Sequence, residues 1–85
     1  MDDFLNLIAD INPEACYPSD MKEAIIGYVE RSGEMPIILL DREKCLEILM
    51  KDSNMDYEEA QEYFEFNTIG SWVGEGTPAF ATLIK

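Results

Sequence analysis

Carboxylates are the most plentiful groups that could do chemistry in this chain, which holds 18 Asp and Glu residues, 6 Lys and Arg, and no histidine. Two carboxylates at a suitable separation hydrolyse glycosidic bonds. So many acids make such a pair uninformative, and so short a chain leaves little room for a sugar cleft. Carboxylates at alternate loop positions bind calcium. Asp52-Ser53-Asn54-Met55-Asp56 has oxygen ligands in that rhythm. Tyr57 and Tyr63 stand where such a loop needs its Gly and its Glu, so a helix-to-helix loop with a cap is expected instead. Lack of histidine removes the commonest general base and a common metal ligand. Cys16 and Cys45 lie too far apart in sequence for a metal-ligand motif. Cys45 falls on an apolar helix face in an acidic protein, the opposite of the electropositive setting that activates a thiol. Both cysteines are expected to be reduced and mostly buried. Gly70, Gly74 and Gly76 have the composition of a phosphate loop but no lysine and no following helix pattern, so a hairpin-type turn is expected. The expectation is a protein that is not an enzyme and has no metal site and no cofactor.

Two surfaces remain. Glu58, Glu62 and Glu65 recur at i, i+4 and i+7 on one predicted helix, and Glu43 and Glu47 form an i, i+4 pair on the helix before it. A row of charge on a helix is ordinarily a solvated face. Read functionally, it is a patch that docks on a basic protein or imitates the spacing of phosphates. Trp72, beside Gly74-Glu75-Gly76-Thr77-Pro78, is the second. An aromatic next to a turn can anchor a partner, although a small domain also needs its aromatics for burial.

The formal net charge of −12 sharpens the choice of partner. It favours basic surfaces and disfavours direct contact with nucleic acid or anionic membrane, both of which require Lys and Arg. Met1-Asp2-Asp3 lacks the basic start of a signal peptide, and no apolar run approaches the roughly 20 residues that span a bilayer, so a cytoplasmic location is expected. Hydrophobic residues make up 47% and aromatics 11% of the 85 residues, enough for one acidic globular domain over 1–85 with a modest core.

Several elements must position these groups. Phe4, Leu5 and Ile8 share a face of a short helix from Asp2 to Ala9, ended by Pro13. Met21, Ala24, Ile25, Tyr28 and Val29 have helical spacing, which predicts a second helix from a Ser19 cap to about Arg31, with Gly27 inside it and Gly33 closing it. Pro36 to Leu40 is a short, unbroken apolar run, which suits a strand covered on both faces. Asp41 caps a third helix, Arg42 to about Lys51, with Cys45, Leu46, Ile48, Leu49 and Met50 on a wide apolar face; Asp52-Ser53-Asn54 breaks it. Asp56 and Glu59 form the capping box of a fourth, with Tyr57, Ala60 and Phe64 inward, Tyr63 and Phe66 widening that face, and Asn67 as the stop. Ile69 to Val73 and Pro78 to Ile84 read as strands, the latter paired with 36–40. The sum is an α+β fold, three to four helices packed on a small two- or three-stranded sheet.

One resemblance is carried by Asp41-Arg42-Glu43-Lys44-Cys45, Met55-Asp56-Tyr57-Glu58-Glu59-Ala60, Tyr63-Phe64-Glu65-Phe66-Asn67, Gly70, and Trp72-Val73-Gly74-Glu75-Gly76-Thr77-Pro78. Together they cover about half the chain, from Leu39 to Phe80, and it resembles a group of small uncharacterised proteins of bacteriophages and prophages. The resemblance implies a phage-type source and assigns no catalytic residues. With the charge, it gives two expectations. One is a binding protein that occupies a basic surface of a host protein, such as a nuclease or defence complex, with Trp72 or Tyr63 as anchor. The other is a non-enzymatic assembly protein, either a homo-oligomer or a minor phage component.

Overall fold

The centre of the fold is a strand that becomes a helix without a linker. In a computed structural model describing residues 2–69 and 74–84, β2 (Ile37–Asp41) runs directly into α2 (Arg42–Asp52). The Asp41 carboxylate accepts the backbone N–H of Glu43 at 3.0 Å and so satisfies one of the free donors of the first turn. In chain order the elements are α1 (Asp2–Ile11), a 3₁₀ segment (Ser19–Ala24), β1 (Ile25–Val29), β2, α2, α3 (Tyr57–Phe64), a π-helical turn (Glu65–Ile69) and β3 (Ala79–Ala81). The sheet order is β1-β2-β3. β1 is antiparallel to β2, and β3 is parallel to it through Leu39↔Ala79, Leu40↔Phe80 and Asp41↔Ala81. The fold is α+β.

The helix expected over 19–31 is not formed. Ser19–Ala24 makes only a kinked 3₁₀ segment, entered through Pro18 with no side-chain cap, so Ser19 does not cap it. Ile25-Ile26-Gly27-Tyr28-Val29 is a strand. Its apolar spacing suits a helix, but β-branched and aromatic residues favour a pleated surface and glycine disfavours a helix interior. The tertiary context decides between them: β2 needs an antiparallel neighbour, and the intervening residues supply the turn. The Glu34 N–H donates to Arg31 O at 3.1 Å, with Gly33 at φ +77° in the third turn position that calls for glycine. Gly33 does adopt the left-handed conformation expected of it, but it closes a hairpin.

Capping signals place the other helices well. α3 begins at the Asp56–Glu59 capping box, with both reciprocal bonds present at 2.9 and 3.1 Å. After α2, Asn54 takes φ 53°, a left-handed position that Asn tolerates. α3 does not stop at Asn67 but loosens into the π turn, where Asn67 Nδ2 donates to Tyr63 O at 3.2 Å. Ile69 ends that turn, so it does not begin a strand, and the rest of the expected 69–73 strand lies outside the described residues. The last strand pairs where expected but is only three residues long.

One cluster holds the helices and sheet together: Ile8, Met21, Ala24, Ile25, Ile38, Leu40, Cys45, Leu46, Leu49, Ala60 and Phe64. Ile38 and Leu40 point from β2 into this cluster, while Ile37 and Leu39 alternate to the other face. Ile37 is nonetheless buried and Leu39 half-buried, which accounts for the unbroken apolar run. Phe64 is fully buried and meets Phe80 edge to face at 5.1 Å. Met50, Tyr57, Tyr63 and Phe66 are exposed, so the apolar faces of α2 and α3 are narrower than their composition implies.

Two contacts between distant segments complete the fold. Asn12, the one buried polar residue among those described, donates from Nδ2 to Pro36 O at 3.0 Å and accepts the Glu14 N–H at 3.1 Å. It thereby ties the end of α1 to the start of β2. Gly76 lies against the 14–16 segment, where its carbonyl accepts the Cys16 N–H at 3.1 Å; a Cβ at position 76 would overlap the Glu14 carbonyl. Gly27 has no such neighbour: a Cβ there meets nothing within 4 Å. Gly76→Ala is therefore expected to destabilise the fold by about 2 kcal/mol or more, whereas Gly27→Ala leaves stability unchanged or raises it by about 0.5 kcal/mol. Urea-unfolding midpoints of the two variants check this contrast.

Candidate functional site

The acidic groups on α2 and α3 are positioned by the packing of these helices against each other. Two side-chain links join them. Arg42, at the first position of α2, reaches Glu65 at 3.1 Å, and its guanidinium lies 4.9 Å from the centroid of the Phe64 ring. Tyr57, at the first position of α3, donates its hydroxyl to Glu43 at 3.4 Å, a long and weak bond. Glu43 and the α3 row therefore belong to one neighbourhood. Glu58 and Glu62 are exposed and have no hydrogen-bond or ion-pair partner among the described residues. With a rise of about 1.5 Å per residue, their backbone positions stand about 6 Å apart along the helix.

The rest of the expected acidic surface is partly neutralised. Glu65 shares its charge with Arg42, whose side chain is 18% exposed against 58% for Glu65. Glu47 pairs with Lys44 at 3.9 Å, both side chains well exposed. Pairs in such solvent contact contribute about 0.2–1 kcal/mol each. Trp72, the expected anchor, lies outside the described residues.

Both cysteines are free thiols, but their surroundings differ. Cys45 is fully buried on the inner face of α2. Its pKa is pushed up to about 12, first by burial and then by the negative charges of Asp41 and Asp20, against a smaller lowering by Arg42. This thiol is held neutral and packs as a small hydrophobe. Cys16 is half-buried, and its Sγ donates to Gly76 O at 3.4 Å. The glycines of the 74–76 turn serve chain packing: Gly74 adopts φ +102°, Thr77 N–H and Oγ1 both donate to Gly74 O at 3.1 and 2.7 Å, and Gly76 admits the 14–16 segment. Among the described residues no group of three or more His, Cys, Asp or Glu side chains is placed to hold a metal ion, and no helix is long and apolar enough to cross a membrane.

A feature that sequence reasoning missed is a half-open cavity of about 540 Å³, a size typical of ligand sites. Cys16, Tyr17 and Asp20 contribute from the segment before β1, Tyr63 and Asn67 from the end of α3 and the π turn, and Phe80 from β3. No local pattern announces it, because three segments distant in sequence build it. Tyr63, one residue from the acidic Glu62, stands 43% exposed on its wall. Asp20 is the one charged residue among the described lining groups, and it makes no ion pair or hydrogen bond with any described residue.

No protein-family model matches this sequence, and neither a curated protein nor a solved structure of significant similarity was found.

The thiol environments give a measurable contrast. At pH 8 iodoacetamide is expected to alkylate Cys16 in the folded protein and to reach Cys45 only when the chain unfolds. The fold favours the neutral Cys45 thiol, whereas an unfolded cysteine ionises from about pH 9. The thiol's contribution to stability is therefore complete below pH 9 and is lost as pH rises toward 12. Urea titrations across that range are expected to show a shallower alkaline loss for Cys45→Ala than for the parent chain.

Proposed function

We propose that this protein is a small, non-enzymatic, phage-type binding module that occupies a basic surface of a host protein, of which a nuclease or a defence complex is the chemical type. The observation that carries this reading is the exposure of Glu58 and Glu62 without partners among the described residues, beside Glu65, Glu43 and Glu47, on a chain of net charge −12. Exposed carboxylates on a packed helix pair steer a cationic surface toward them and penalise an anionic one. The same field opposes direct binding to nucleic acid. The Asp56–Glu59 capping box and the buried Phe64 hold α3 in place, so the backbone that carries these groups needs no ordering on binding.

A partner recovered from host lysate at low salt is expected to be released as salt is raised. Each charge at such a surface contributes about 0.5 kcal/mol. Glu58→Ala/Glu62→Ala/Glu65→Ala is therefore expected to weaken binding about tenfold and to flatten the salt dependence, as measured by calorimetry with the purified partner. Salt-insensitive binding that the triple variant leaves unchanged would remove the electrostatic reading.

Self-assembly is the second reading, and the outer edge of β1, which pairs with no strand among the described residues and carries the exposed Ile26 and Tyr28, favours it. Two chains of net charge −12 repel each other, and the bulge between Ile25 and Gly27 disturbs the edge that a second strand would need. Light scattering is expected to show a monomer at low and at high salt; a salt-induced dimer would favour the assembly role.

A further inference from the structure

The cavity beside Tyr63 has the composition of a site for an organic cation. Its lining includes the aromatic residues Tyr17, Tyr63 and Phe80, and its one charged lining residue among those described is Asp20, which has no ion-pair partner there. An aromatic face attracts a flat cation through its quadrupole, and a carboxylate supplies the opposing charge. The fold already shows this combination once: the Arg42 guanidinium lies over the Phe64 ring, and Glu65 accepts from it at 3.1 Å. Phe64 in turn meets Phe80 edge to face, so the two aromatic sites are neighbours in one packed group.

Charge complementarity selects the occupant. No Lys or Arg is among the described lining residues, and the whole chain is strongly anionic, so an anionic ligand is repelled and a neutral one gains less from Asp20 than a cation does. Between the two basic side chains, arginine suits the site better. Its guanidinium is planar, stacks on rings, sheds water more readily than an ammonium and meets a carboxylate with two donors. Tyr63 lines the cavity from a face of α3 about 100–140° around the helix from Glu62 and Glu58, so the cavity and the acidic row are separate surfaces of one domain.

We propose that this cavity receives one arginine side chain of the basic partner, stacked on the aromatic wall with its guanidinium against Asp20. The inference rests on the reading of that partner's surface as basic. The acidic row then supplies long-range attraction, and the cavity, with Asp20 exposed at it, supplies the short-range contact that fixes register.

The probes are N-acetyl-arginine amide and its neutral isostere N-acetyl-citrulline amide. Each is titrated into the folded, nitrogen-15-labelled protein and followed by amide chemical shifts at an ionic strength of about 0.15 M, where the Debye length is about 8 Å. The arginine probe is expected to shift the amides of Asp20, Tyr63 and Asn67 in a saturable way and to bind about fivefold tighter than the citrulline probe. Asp20→Asn removes that preference, and Tyr63→Ala weakens both probes. Glu58→Gln/Glu62→Gln leaves the titration unchanged. Equal affinity for the two probes overturns the proposal, as do shifts confined to exposed acids such as Glu58 and Glu62. A failed arginine titration alongside salt-sensitive partner binding overturns the cavity site alone. A successful titration alongside salt-insensitive partner binding leaves the cavity site standing and overturns the electrostatic reading of the acidic row.

Discussion

The junction at Asp41 governs this fold. As the last residue of β2 it pairs with Ala81 of β3, and its carboxylate caps α2 through Glu43 N–H. A strand that turns into a helix with no intervening residue leaves α2 one direction in which to travel. That direction lays Cys45, Leu46 and Leu49 over the face of β2 that presents Ile38 and Leu40. α3 then packs on α2, and Phe64 completes the cluster against Phe80 of the strand that pairs on the far side. The parallel β2–β3 pair exists because α2 and α3 carry the chain back across the sheet, as a parallel connection requires.

A small core has to withstand a large self-repulsion. With 18 acids and 6 bases, the cations are too few to pair every acid, so their placement matters. Arg42 is well placed. It is largely covered, stacks on a core ring and holds Glu65, which couples the surface charge of the π turn to the interior. The more exposed Lys44–Glu47 pair does much less. Repulsion among the remaining carboxylates is tolerated because water and salt screen them at the surface. Glu58 and Glu62, without partners among the described residues, thus coexist with a folded domain and stay exposed.

Local physics made much of this architecture legible. Asp41, Asp56, Glu59 and Asn54 announce helix starts and stops through groups that act within a few residues, and the structure places each of them in its local role. The apolar run of β2 and the inward positions of Ala60 and Phe64 could also be read, since burial follows from period and composition. The segment over 19–31 could not. Met21, Ala24, Ile25, Tyr28 and Val29 satisfy a helical period, and only the demand of β2 for a neighbour converts Ile25–Val29 to a strand. The choice lies in a pairing between distant residues, which no window on the sequence contains. Asn12 and Gly76 are of the same kind: a buried amide and a close backbone approach have meaning only once Pro36 and Glu14 are beside them.

The candidate site divides along that line. A Glu row repeats at helical spacing, so it is visible in the sequence wherever α3 forms. A cavity built from Asp20, Tyr63 and Phe80 is visible only after three segments meet. The two features also act over different distances. Exposed carboxylates attract across about one Debye length and weaken with salt, and so they raise the rate of encounter more than they fix its outcome. An aromatic wall with one carboxylate acts only at contact, where desolvation strengthens it and orientation is chosen. An acidic surface alone would bind any basic protein in its path. In the proposed binding role, discrimination among basic partners has to come from a short-range element, and the cavity lined by Asp20, Tyr63 and Phe80 is the candidate for it.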